Sequence, residues 1–146
     1  MSDKKVVDEV EVEEDLGLKD YLGKIAAKPS QQQIEEWKAE FGEVFVSGFS
    51  EEEMYIWRPV RRKEWVKLQS DFQDASLKAQ EASDPSLMPT QFDMEDALLN
   101  LCLLWRSGGA DWDNTKGGTV SSLHEQIMQK SNFLTSQGAS LLVAKL

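Results

Sequence analysis

The spacing of the large apolar side chains is what most limits the fold. Ile34, Trp37 and Phe41 recur at intervals of three and four, and Trp65, Leu68, Phe72 and Ala75 or Leu77 do the same over a longer stretch. Leu98, Leu101, Cys102 and Trp105 repeat the rhythm, widened by Leu99 and Leu103. Such intervals place each set on one face of an α-helix. One region breaks the pattern. EVFVSGF and MYIW are short β-branched and aromatic runs joined by a turn-like stretch, which reads as a β-hairpin. Its loop is longer than two residues, so the register stays open. The expected class is α+β and mostly helical, with about four or five helices and one small β-hairpin in a single domain.

Local signals set the boundaries. Ser30 and Gln33 have the spacing of a capping box for the first strong helix, and Gly42 stands where a C-cap of positive φ is wanted. Arg58-Pro59 ends the hairpin, and a long helix is expected from about Arg61 to Glu81, with Lys63, Lys67 and Asp71 on its wet side. The two prolines of ASDPSLMPTQ (82–91) mark a loop, followed by a helix over about Phe92 to Trp105. A glycine-rich loop (106–118) leads to a last helix that Thr119 can cap, with Leu123, Ile127 and Met128 inward. Leu16, Tyr21 and Ile25 suggest a short helix over 16–28, weakened by Gly17 and Gly23.

The first fifteen residues, MSDKKVVDEVEVEED, hold seven acids and two lysines and no aromatic, Leu or Ile. A segment like this buries too little to offset its ordering entropy, so 1–15 is expected to be a disordered acidic arm ahead of a compact, mainly helical domain over 16–146, with the hairpin near 43–58. The net charge of -10 opposes binding to nucleic acid or to an anionic membrane surface. No apolar run approaches the length of a membrane span, and because acidic residues follow Met1–Lys5 in place of an apolar stretch, no signal peptide is expected. A single cysteine, Cys102, excludes an internal disulfide and fits a reducing compartment.

Reactive groups are few. His124 is the only histidine. Ser121, Ser122 and Glu125 are near it in sequence, but no G-x-S-x-G elbow occurs, so a structural role outweighs a catalytic one. One His and one Cys do not make a zinc site. Asp111, Asp113 and Thr115 resemble the start of a calcium loop, but Lys116 and Ser122 stand where it needs Gly and Glu, so an Asx-type turn is the simpler reading. The glycines at 108, 109, 117 and 118 fit neither phosphate-binding pattern. Glu51, Glu52 and Glu53 look like a solvated hairpin tip. The expectation is therefore no catalytic residue, no metal and no cofactor.

The segment Trp57-Arg58-Pro59-Val60-Arg61-Arg62-Lys63-Glu64-Trp65 packs four cations into six positions of an otherwise acidic chain. Trp and Arg dominate protein-contact hot spots, so Trp57, Arg58, Arg61, Arg62 and Trp65 are candidate protein-binding residues. The alternative is that both tryptophans are core and the cations pair with local acids.

The same segment belongs to a longer layout. EEWKAEFGEVFVSGFSEEEMYIWRPVRRKEW (35–65) contains W-K-x-x-[YF]-G-x-V and then [YFW]-R-P-x-x-R-x-E-[YW]. LLNLCLLW (98–105) and GGTVSSLHEQIMQKSNF (117–133) follow. This layout resembles the small tail-assembly or baseplate-assembly proteins of tailed bacteriophages, including the T4-type baseplate hub group. It covers about 100 residues, from 35 to 133. Arg106 departs from it, standing where proline is usual. The resemblance implies a non-enzymatic morphogenesis protein, an assembly chaperone or hub-associated subunit that binds tail or baseplate proteins. It would act in the host cytoplasm or the virion tail, with oligomers allowed. The alternative is an acidic regulatory or inhibitory protein-binding module, such as a nucleic-acid mimic.

Overall fold

The computed structural model describes residues 22–23, 28–108 and 111–133, so the acidic arm and most of the 16–28 helix lie outside the described residues. Among the described residues from Gln31 onward, four α-helices and three antiparallel strands succeed one another: α1 (Gln31–Phe41), β1 (Phe45–Ser50), β2 (Glu53–Trp57), α2 (Arg62–Glu81), α3 (Gln91–Cys102), β3 (Leu103–Arg106) and α4 (Thr119–Lys130). Short 3₁₀ turns lie at Pro85–Leu87 and Trp112–Asn114. The mostly helical α+β class follows directly. The chain divides into two compact units, Met1–Trp57 with Leu103–Gly109 and Arg58–Cys102 with Ala110–Leu146.

In the first unit, α1 opens at Ser30, whose hydroxyl accepts the Gln33 N–H at 3.1 Å. It closes at Gly42, where φ is +82° and the amide returns to the Lys38 carbonyl. A side chain at that φ would be strained, which is why glycine ends this helix. Ile34, Trp37 and Phe41 are half-buried, as their spacing predicts. The hairpin pairs Phe45 with Trp57, Val46 with Ile56 and Ser47 with Tyr55. A bulge between Gly48 and Ser50 lets β1 run on to pair Ser50 with Glu53. The bulge corrects the loop expected from sequence: only Glu51 and Glu52 remain outside the strands. Phe45 stacks on Trp57 with centroids 4.9 Å apart, and the indole N–H donates to the Ser47 hydroxyl at 2.7 Å.

β2 is the middle strand, and Met54, Tyr55, Ile56 and Trp57 are all buried. A buried strand cannot leave one edge unpaired, because each orphaned amide or carbonyl costs about 1–3 kcal/mol. β3 fills that edge, pairing Tyr55 with Arg106 and Ile56 with Trp105. This corrects the expected helix over Phe92–Trp105, which ends at Cys102. A continuous apolar run such as LCLLW suits helix or buried strand equally by pattern, and the open edge of β2 decides between them. Just beyond β3, Ser107 acts as a clasp. Its hydroxyl accepts the Met54 N–H and donates to the Glu52 carbonyl, both at 2.8 Å.

In the second unit, Leu98, Leu99 and Cys102 of α3 are buried together with Leu123 and Ile127 of α4. These two helices pack against each other, and α2 packs on α3; Trp65, Leu68 and Phe72 of α2 are half-buried and Ala79 is buried. Thr119 does not cap α4. Gly118 holds the cap position, and Thr119 is a buried first residue of the helix. In place of the expected Asx-type turn, Asp111 caps the 3₁₀ turn: its carboxylate accepts the Asn114 backbone N–H at 3.1 Å and its side-chain amide at 2.7 Å.

Candidate functional site

The structure separates the five candidate contact residues. Trp57 is 2 % exposed and Arg58 5 % exposed. Trp57 is held in the sheet by Phe45 and Ser47. Trp65 is half-buried, with its ring 4.7 Å from that of Phe133. Only Arg61 and Arg62 are exposed. Trp57 and Arg58 thus face inward, while Arg61 and Arg62 lie at the surface, so the five side chains do not share one exposed face.

Arg58 has a specific structural task. Its guanidinium meets the Glu64 carboxylate with two parallel bonds, one of them 2.8 Å long. This fork-to-fork geometry is the strong form of an ion pair. The same group donates to the Leu101 carbonyl at 3.2 Å, and the Arg58 backbone N–H donates to the Cys102 carbonyl at 3.0 Å. Those two carbonyls end α3, where helical carbonyls lack internal partners and the helix dipole is negative. Arg58 therefore caps α3 from outside the helix.

Glu64 in turn accepts the Arg61 backbone N–H at 3.0 Å and so closes the first turn of α2. The Arg58 guanidinium holds its carboxyl below the ordinary carboxylate range, aided by that backbone bond and opposed by partial burial. The segment is tied down further by Ser131. Its hydroxyl accepts the Val60 N–H at 2.9 Å and donates to the Ile127 carbonyl. The motif R-P-x-x-R-x-E is thus a junction that joins the start of α2, the end of α3 and the end of α4. Arginine is not a usual N-cap residue, so the Arg61–Glu64 cap was not legible from residue type, and the reach of Arg58 to residue 101 had no local signal.

The remaining reactive groups are not brought together. Cys102 is fully buried, and burial pushes its thiol up to about 12, with nearby Arg58 opposing. His124 is half-buried on α4. Tyr55 is buried and hydrogen-bonded to Glu53 at 2.9 Å, and burial first, then that carboxylate, raises its phenol to about 12. Among the described residues no group of three or more His, Cys, Asp or Glu is placed to hold a metal ion, and no helix is long and apolar enough to cross a membrane.

A surface that sequence reading missed lies at the α2–α3 corner. Leu77 is 56 % exposed, Leu87 57 % and Phe92 70 %, with Met88 exposed beside Leu87. They fall within sixteen residues: the end of α2, the 3₁₀ turn packed on it and the first turn of α3. Phe92 is seven residues before Leu99 and so shares its helical face, yet Leu99 is fully buried. The apolar stripe of α3 continues past the point where the described residues cover it.

Compared with known proteins, the chain matches no protein-family profile, no curated protein and no solved structure.

Proposed function

We propose that this chain is a non-enzymatic binding protein of phage tail morphogenesis, an assembly chaperone or hub-associated subunit that engages tail or baseplate proteins. The observation that carries the binding reading is the exposed apolar corner of Leu77, Leu87, Met88 and Phe92. Single exposed apolar residues are ordinary, but four large ones within sixteen residues, on elements that pack on one another, are more than scatter. The resemblance of residues 35–133 to tail-assembly and baseplate-assembly proteins supplies the class of partner. Several residues that carry the resemblance are fold determinants in this chain: Trp57, Arg58, Glu64, Trp65, Ser131 and Phe133.

The test is direct binding to individually purified tail-tube, tape-measure, hub and baseplate proteins, followed by light scattering and calorimetry. The expected result is a stoichiometric complex with one of them. Failure of all four classes to bind would refute the tail assignment.

A further inference from the structure

The α2–α3 corner differs from the rest of the chain in charge as well as in polarity. From Ala79 to Trp105 there is no Lys, Arg or His; of the acids in this stretch Glu81 and Asp93 are exposed, Asp84 and Asp96 are half-buried, and Glu95 is buried and accepts from the Ser121 hydroxyl at 3.0 Å. The cations of α2 gather at its other end, Arg62, Lys63 and Lys67, with Lys78 as the one exception near the corner. The acids act on one another. Burial and the charges of Asp113, Asp93 and Glu95 raise the Asp96 carboxyl.

Local hydrogen bonds also brace the corner. Thr90 and Asp93 cap α3 reciprocally: the Asp93 carboxylate accepts the Thr90 N–H at 2.8 Å, and the Thr90 hydroxyl accepts the Asp93 N–H at 3.2 Å. Phe92 sits between them and is presented on a fixed turn. Asp84 accepts the Ser86 N–H at 3.0 Å and fixes the 3₁₀ turn that carries Leu87. Ordering these residues in advance removes much of the entropy loss that binding would otherwise incur.

We propose that this corner is the docking surface for an apolar segment of a partner protein flanked by Lys and Arg, with Phe92 and Leu87 as anchors and the surrounding acids selecting the partner's charge. The assignment rests on the binding reading above and adds the place and the partner's chemistry. Complementary charge raises the encounter rate and suppresses wrong partners, while the apolar anchors supply affinity. A second copy of the chain is a poor occupant, because each copy carries a net charge of -10. An anionic membrane is disfavoured by the same acids.

The experiment uses the full chain and a fluorescein-labelled synthetic amphipathic peptide with Leu on one face and Lys on the other. Two counterparts, Glu for Lys and Ser for Leu, serve as controls. Anisotropy is read at low and at physiological salt. Only the Leu/Lys peptide should bind. Leu87→Ser with Phe92→Ser should weaken it by roughly tenfold or more, as expected for loss of anchor residues, with an unchanged thermal melt. The paired variant Phe49→Ser with Val66→Ser, which removes exposed apolar side chains elsewhere, should not weaken it. Glu81→Gln with Asp96→Asn should weaken binding mainly at low salt.

Equal binding of the Glu peptide, or full binding by the Leu87/Phe92 variant, would overturn the proposal. So would a wild-type dimer in sedimentation that the Leu87/Phe92 variant disperses, since the occupant would then be a second copy. A tail-protein complex that survives the Leu87/Phe92 change removes this surface but leaves the tail assignment standing. Retained peptide binding without any tail-protein complex does the reverse.

Discussion

Breaking the Arg58–Glu64 junction from each side, and then replacing both residues, measures how much of the second unit depends on it. Glu64→Ala removes the paired carboxylate from a guanidinium whose side chain is 6 % exposed, and it also removes the acceptor of the Arg61 N–H. Stranding a buried charge costs about 3–5 kcal/mol, and losing the cap adds about 1 kcal/mol. Arg58→Met leaves a carboxylate that is 24 % exposed and can partly rehydrate, so its cost should sit near the lower end, about 3 kcal/mol. The double variant Arg58→Met with Glu64→Leu strands no charge. It loses the α2 cap bond and the donor to the Leu101 carbonyl, each worth about 1 kcal/mol, and should therefore be more stable than Glu64→Ala alone.

The assay is urea unfolding followed by circular dichroism. The pH dependence carries a sign. The folded-state pKa of Glu64 lies below its ordinary value of 4.5, so its stabilisation is present above that value and disappears as pH falls through the lower one. Wild type should lose more stability than Glu64→Gln over that acidic window. A Glu64→Ala cost under about 1 kcal/mol, the range of an exposed pair, or strictly additive single changes would refute the reasoning.

Three further outcomes are expected. Trp57→Ala should destabilise by about 3–5 kcal/mol in urea unfolding, whereas Trp57→Phe, which keeps a ring against Phe45 but leaves the buried Ser47 hydroxyl without the indole, should lose about 1–3 kcal/mol. Ser83 closes α2 at φ +52°, with the Asp84 N–H reaching back to the Ala79 carbonyl, so Ser83→Gly should raise the midpoint by relieving up to about 1 kcal/mol of left-handed strain. The Cys102 thiol should resist Ellman's reagent at pH 8 until denaturant opens the fold; rapid labelling of the native chain would show that its burial is not maintained in solution.

Local chemistry was enough to place most of the elements. The intervals of Ile34, Trp37 and Phe41 and of Trp65, Leu68 and Phe72, together with Ser30, Gly42 and the prolines after residue 82, encode their helices within a turn or two of chain. The β-branched runs around Val46 and Ile56 likewise encode a hairpin, because side-chain period and turn chemistry are properties of neighbours in sequence. What only the tertiary structure decided involves partners far apart in the chain. Leu103–Arg106 became a strand because β2 offered an unpaired edge some fifty residues earlier. Arg58 turned inward because Glu64 and the end of α3 offered acceptors for a buried cation. Phe92, on the same face as buried Leu99, stayed exposed because cover over a helix face comes from other elements, and periodicity records the face without recording the cover.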